Sequence, residues 1–156
     1  MRTLQLEHRA WVDKKYPNQP PEIPAAGCVE EAGELLHVII KLTQVGIWGE
    51  DNRYSWLKLR EALVDAIGDC GIYACSLCNA NGWDFEEFWQ PIPSCDNVTT
   101  LQQALELVVS AATVATMPKS RVSLLDYLRR LTAIAKSVGL DAQMCVRVAW
   151  LQVKER

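Results

Sequence analysis

Apolar residues recur every three or four positions along most of the chain, the spacing that places side chains on one face of an α-helix. The pattern predicts helices over residues 4–15, 25–45, 55–80, 100–117, 121–138 and 141–154. No segment alternates apolar and polar residues cleanly enough to indicate a β-strand. Because the connections are short, we expect antiparallel neighbours and a single all-α domain over residues 1–156, an antiparallel helical bundle.

Local signals mark several helix ends. Gly46 and Gly49 predict the end of the second helix, and Gly82 predicts a glycine cap on the third. Asp84 is placed to open a short helix, and Asp141 is placed to cap the last one.

Two segments, residues 78–88 and 135–145, share one outline: a helix end, a glycine, an apolar residue, an aspartate and a new helix. Residues 99–156 are therefore interpreted as a possible degenerate copy of the first helical half. The alternative is that any two capped helix junctions look this similar. If the copy is real, the helix over residues 101–117 completes the bundle within one chain; otherwise it is a candidate surface for forming an oligomer.

The net charge also differs between the two halves of the chain, which meet at residues 98 and 99. Residues 1–98 hold fifteen acids and eight bases, a net charge of −7, whereas residues 99–156 hold four acids and eight bases, a net charge of +4. The whole chain carries −3, which argues against duplex nucleic acid as a partner because such proteins usually present a basic surface.

The sequence also bears on compartment. Its N-terminus lacks the apolar core of a signal peptide, and no uncharged stretch reaches the roughly 20 residues of a membrane helix. We therefore expect a cytoplasmic protein without a membrane partner.

Six cysteines are present, and Cys75 and Cys78 form a Cys-x-x-Cys pair. We interpret them as buried, reduced structural residues, with a redox or zinc role as the alternative.

Carboxylates concentrate on the second and third predicted helices. They are Glu30, Glu31, Glu34, Glu61, Asp65 and Asp69. Spacings of three and four residues place pairs of them on one helix face, beside strongly apolar positions. Where such faces meet, unpaired carboxylates repel one another and are costly to desolvate, whereas Mg²⁺ prefers hard oxygen ligands. A divalent-metal site is one hypothesis, and an ordinary solvated helix face is the other.

The same residues carry a resemblance to a known family. Glu-Glu-x-x-Glu is followed about thirty residues later by Asp-x-x-Gly-Asp and then by Asn-x-x-Gly-hydrophobic-Asp. Across residues 8–90 this resembles the MazG-like all-α nucleoside triphosphate pyrophosphohydrolases. The resemblance implies hydrolysis of a (deoxy)nucleoside triphosphate to the monophosphate and pyrophosphate, with about two or three Mg²⁺ or Mn²⁺ ions.

The resemblance also implies roles for single residues. The implied metal ligands are Glu31, Glu34 and Asp69, together with Asp65, because Ala66 stands where many members carry a glutamate. The implied catalytic residues are Glu30, Glu31 and Glu34, with Glu30 as a candidate general base.

Further residues are candidates for substrate contact. Tyr73 and Asn79 match positions that lie near the nucleotide in similar proteins. Trp11 and Trp48 are candidates for stacking on a base, with packing as the alternative. Lys41 lies two turns after Glu34 and is a candidate phosphate contact or a solvated lysine.

Several alternatives stay open at this point. The substrate can be a purine nucleotide such as dGTP, or the chain can act like a dUTPase or dCTPase of the same superfamily. It can instead be a non-catalytic regulator that binds a nucleotide or metal. Glu34 and His37 form a Glu-x-x-His pair, but di-iron sites need a second pair and the only other histidine is His8. Similar proteins assemble as homodimers or homotetramers, and the apolar helix 101–117 is a candidate surface for this. Small members of this type act in the cytosol of bacteria or of phage-infected cells.

Overall fold

A computed structural model describes residues 1–48, 56–89 and 98–155, the side chains of residues 47, 48 and 56 excepted. These ranges form six α-helices, a single-turn 3₁₀ helix and no β-strand. The α-helices are α1 (Arg2–Lys15), α2 (Glu22–Trp48), α3 (Trp56–Asn81), α4 (Thr100–Thr116), α5 (Arg121–Ser137) and α6 (Ala142–Val153). The 3₁₀ helix spans Phe85–Phe88. The prediction of an all-α chain is confirmed.

Helices α2 and α3 are at the centre of the packing. They pack against each other, α2 also packs against α4, and α3 also packs against α6. Helix α5 packs against α4, while α1 lies on α3 and touches α6. One continuous apolar core links these helices, with Ile39 of α2, Ile67 of α3, Leu107 of α4 and Leu131 of α5 all fully buried.

The α3–α6 contact depends on two glycines of α3. A Cβ atom added at Gly68 would lie 2.7 Å from the backbone oxygen of Cys145, and one added at Gly71 would lie 2.1 Å from Cγ2 of Val146. Both distances are shorter than atoms tolerate. The two helices therefore approach closely because glycine leaves room for the backbone and side chains of α6.

Several predicted helix ends are confirmed. The Asp141 carboxylate accepts a hydrogen bond from the Met144 backbone N–H at 2.8 Å. The Asp84 carboxylate accepts one from the Glu86 N–H at 3.0 Å and so caps the 3₁₀ helix. Gly82, which follows α3, has a φ of 69°, in the left-handed region where glycine carries no penalty.

The predicted ends of α2 are wrong at both termini. The helix starts at Glu22 rather than at residue 25, and it runs through Gly46 to Trp48. Pro24 fits in the first turn because the backbone N–H it lacks has no helical partner there. A glycine inside a helix costs only about 1 kcal/mol, less than the tertiary packing of a long helix provides. Gly49 lies outside the described residues.

The cysteines match the structural interpretation where the structure describes them. They are all buried free thiols: Cys28, Cys70, Cys75, Cys78 and Cys145. Burial raises the pKa of the Cys28 thiol to about 12, so the thiolate needed for redox or metal chemistry is disfavoured. Cys95 lies outside the described residues. No described helix combines the length and apolar character that a membrane span requires.

Candidate functional site

The α2–α3 hairpin sets the register of the predicted acidic residues. The ring of Tyr73 on α3 lies over Gly27 on α2, since a Cβ atom added at this glycine would fall 2.1 Å from the Tyr73 Cδ1 atom. One turn further along α2 is Glu31, and one turn back along α3 is Asp69. The charge of Asp69 acts on Glu31, so the two helices run antiparallel here and bring these two carboxylates to the same edge of the hairpin.

Four of the other predicted carboxylates lie close enough to Glu31 for their charges to act on it. We call Glu30, Glu31, Glu34, Asp65 and Asp69 the acidic cluster. Burial is the largest cause, and together with the negative charges of Asp69, Glu34, Glu30 and Asp65 it raises the pKa of Glu31 to about 7. Glu31 and Asp69 are partly buried, whereas the other three are exposed. Like charges therefore surround a carboxylate that has already lost part of its hydration.

The acidic cluster is not an assembled metal centre as its side chains stand. Among the described residues, no three side chains of histidine, cysteine, aspartate or glutamate are placed to hold a metal ion. The chemistry of the cluster nevertheless fits Mg²⁺ or Mn²⁺, which take hard oxygen ligands from a few carboxylates.

Tyr73 borders the acidic cluster. Burial raises the pKa of its phenol, and the charges of Glu31, Glu30 and Asp69 raise it further. The hydroxyl therefore keeps its proton and can donate a hydrogen bond to an anionic ligand. Tyr16, which follows the end of α1, also acts on Tyr73, so the end of α1 lies near this part of the hairpin.

Trp11 is held by neighbours from its own chain. Its ring meets Trp150 and Tyr16 edge to face, with ring centroids 6.2 Å and 6.1 Å apart. The Lys15 ammonium group lies 4.5 Å from the centre of the ring. The packing interpretation therefore describes what this side chain does here, and stacking on a base stays a prediction.

The remaining substrate candidates lie away from the acidic cluster or outside the described side chains. Lys41 is partly buried on α2, seven residues and thus about 10 Å of helix beyond Glu34. Asn79 is ten residues and thus about 15 Å of helix beyond Asp69 on α3. The side chain of Trp48 lies outside the part of the chain that is described.

Asn79 instead belongs to a polar network that the sequence did not predict. Two backbone groups determine the orientation of the Gln5 amide. The Phe85 N–H donates to Gln5 Oε1 at 2.8 Å, and Gln5 Nε2 donates to the Trp83 carbonyl at 2.7 Å. Gln5 Nε2 also donates to Asn79 Oδ1 at 3.0 Å. Asn79 Nδ2 consequently faces His8 Nδ1, 3.1 Å away, and must be the donor.

These hydrogen bonds determine the tautomer of His8. Since Nδ1 accepts, Nε2 carries the proton and donates to Ser76 Oγ at 3.2 Å. His8 is 1% exposed, and burial lowers its pKa to about 4, so it is neutral near pH 7. One signal could have found it: His8 falls on the buried stripe of α1, between Leu4 and Val12.

Comparison of the chain with protein-family models, with curated proteins and with solved structures gives no match.

Proposed function

We propose that the protein hydrolyses (deoxy)nucleoside triphosphates to the monophosphate and pyrophosphate, with Mg²⁺ or Mn²⁺ held at the acidic cluster. The observation that supports this is geometric. Two antiparallel helices bring five carboxylates to one edge of the hairpin, beside a tyrosine hydroxyl. Such an arrangement is costly without a cation, and a metal-bound triphosphate needs this donor chemistry.

Each residue in the proposal has a stated task. Glu31 and Asp69, from opposite helices, hold the cation together with Glu34 and Asp65. The divalent ion, when bound, offsets triphosphate charge and lowers the pKa of water. Glu30 is exposed at the same edge and accepts the proton of the attacking water. The water oxygen bonds to the α-phosphorus as the bond to the α,β-bridging oxygen breaks, and pyrophosphate leaves.

Tyr73 is the proposed phosphate contact, because its protonated hydroxyl lies beside the carboxylates. Trp11 and Lys41 stay candidate contacts, as does Trp48. For Asn79 the proposal is weakest, since its amide already pairs with Gln5 and His8. Base preference therefore rests on no described contact, and dGTP is one member of the panel to be tested. A homodimer or homotetramer is proposed on the resemblance alone.

A nucleotide panel tests the activity. The chain is incubated with Mg²⁺ and each common ribo- and deoxyribonucleoside triphosphate, and monophosphate and pyrophosphate are measured together. We expect both products in equal amounts. Asp69→Asn should lower the rate at least about 100-fold, since the loss of one metal or transition-state contact has this size. Glu22→Gln, an exposed acid on α2 outside the cluster, should keep the rate.

A binding measurement separates the enzyme from its rivals. If Mg²⁺ stabilises the unmodified chain but not Asp69→Asn, the acidic cluster binds metal; the expected gain is about 2.7 kcal/mol at a hundredfold excess over Kd. Metal binding with no product from any nucleotide would identify a regulator. Product only from dUTP or dCTP would identify the dUTPase-like or dCTPase-like alternative. Full activity of Asp69→Asn would show that the site is wrong.

A further inference from the structure

We infer that Tyr127 of α5 positions two of the proposed metal ligands, because its hydroxyl group ties α2 to α3 directly behind Glu31 and Asp69. The inference rests on the proposed function and gives the C-terminal half of the chain a part in it. Tyr127 is 0% exposed and is among the largest fully buried side chains. It therefore cannot touch a bound substrate, and its role is that of a positioning residue.

The first argument is the place that the Tyr127 hydroxyl group reaches. In the described part of the chain, α5 packs against α3 and α4 and does not pack directly against α2. The Tyr127 side chain crosses this gap, since its hydroxyl donates to the Cys28 carbonyl of α2 at 3.4 Å. The same hydroxyl shares a hydrogen bond with the Cys70 thiol of α3. One buried group thus joins both helices of the hairpin.

The second argument is the position of these contacts along the two helices. Cys28 lies about one turn before Glu31 on α2, and Cys70 directly follows Asp69 on α3. Tyr127 also lies close enough to Glu31 for the carboxylate charge to act on its phenol. The hydroxyl contacts are therefore at the level where each helix supplies a carboxylate to the proposed cation.

The third argument is that the buried hydroxyl group cannot turn to water for a partner. A buried hydroxyl left unpaired is costly, so Tyr127 favours the spacing of α2 and α3 that satisfies its hydrogen bonds. Phenylalanine would fill the same space without this constraint. Mg²⁺ demands near-ideal octahedral geometry, and its ligands need supporting contacts that hold them in place. Tyr127 therefore acts on the proposed metal through the spacing of Glu31 and Asp69.

Metal titrations of Tyr127→Phe test the inference. Calorimetry measures the Kd of Mg²⁺ and of Ca²⁺ for the unmodified chain and for the variant. Tyr127→Phe should bind Mg²⁺ about tenfold more weakly, the lower end of the effect of losing a supporting contact behind a metal site. Ca²⁺ accepts irregular coordination, so its affinity should change much less. A protein that is merely less well folded would lose affinity for both ions alike.

Two further variants control for stability and for location. Ile134→Val removes one buried methyl group elsewhere on α5, which lowers stability in urea unfolding, and it should leave both affinities unchanged. Cys70→Ala removes the α3 partner of the hydroxyl group while Tyr127 stays. It should weaken Mg²⁺ binding more than Ca²⁺ binding, as Tyr127→Phe does.

The outcomes separate this inference from the proposed function. If the unmodified chain shows no saturable Mg²⁺ binding, both are overturned. If the unmodified chain binds Mg²⁺ and Tyr127→Phe binds it equally well, only the inference is overturned. An equal loss of Mg²⁺ and Ca²⁺ affinity in Tyr127→Phe, or the same loss in Ile134→Val, would likewise overturn it and leave Tyr127 as a packing residue.

Discussion

Two titratable groups packed against α3, His8 and Glu31, have pKa values that burial shifts toward the neutral form. The His8 ring of α1 is buried against α3, where Ser76 and Asn79 each form a hydrogen bond with one of its nitrogens. Its pKa is lowered to about 4. Two turns earlier on α3 is Asp69, which faces Glu31 of α2. Glu31 is half-buried among like charges, and its pKa is raised to about 7. Burial is the largest cause in both places, but only the histidine has its hydrogen-bonding capacity satisfied.

The difference separates a structural cluster from a candidate functional one. A buried ring with a hydrogen-bond partner on each nitrogen stabilises the docking of α1 on α3. A group of repelling carboxylates stabilises nothing, and arrangements of this kind concentrate at sites that bind a ligand of opposite charge. The predictions below test whether the His8 network and the acidic cluster differ in this way.

The largest expected effect concerns His8. The unfolded imidazole binds a proton near pH 6.5, whereas the folded one binds it only near pH 4. Between these values the unfolded state holds more protons, so stability is complete above pH 6.5 and is lost as the pH falls. His8 should contribute a loss of about 3 kcal/mol in the free energy of unfolding from pH 7 to pH 4.

The measurement compares urea unfolding of the unmodified chain and His8→Gln at several pH values. Other titrating groups contribute to both proteins and cancel in the difference. His8→Gln should be less stable at pH 7 and should show a shallower loss of stability below pH 6.5. Parallel pH profiles would mean that His8 titrates alike in both states.

Glu31 should act in the opposite direction. Its folded carboxyl group keeps a proton up to about pH 7, whereas the unfolded one loses it near pH 4.5. The folded state therefore holds more protons in this window, and the contribution of Glu31 to stability falls as the pH rises. Glu31→Gln should stabilise the protein at pH 8 by about 1–2 kcal/mol, once solvent screening is allowed for.

At about pH 3.5 the same substitution should change stability little, because the Glu31 carboxyl group is then protonated in both the folded and the unfolded state. Thermal and urea unfolding at the two pH values measure the difference. A destabilised Glu31→Gln protein at pH 8 would show that the carboxylate has a favourable partner, and the contrast with His8 would no longer hold.

Local patterns predicted what a single helix determines. The spacing of Glu31 and Glu34, and of Asp65 and Asp69, follows from the helical period and needs no tertiary information. The facing of Glu31 and Asp69 depends on the register of α2 against α3. The contact of Tyr73 with Gly27 defines that register in the structure. The periodicity of either helix alone does not predict this contact.

Long-range polar contacts were beyond the sequence for the same reason. Gln5 pairs with Asn79 across 74 positions, and His8 pairs with Ser76 across 68. The sequence around each residue does not indicate its distant partner. The motif that contains Asn79 therefore predicts a nucleotide contact instead. Similarly, Gly46 was predicted to end α2, because the sequence does not show the packing that extends the helix.

The smallest effects come from two glycines of α2 on either side of Glu31. Gly27→Ala would force the added methyl group into the Tyr73 ring, which must move, at a cost of about 1 kcal/mol. Gly33→Ala, with nothing within 4 Å of the added carbon, should instead stabilise the helix by about 0.5–1 kcal/mol. Both substitutions add the same atom to the same helix, so opposite signs in urea unfolding would isolate the Tyr73 contact. If Gly27→Ala also stabilised the protein, Tyr73 would not be seated over α2, and the hydroxyl placed beside the acidic cluster would lose its structural basis.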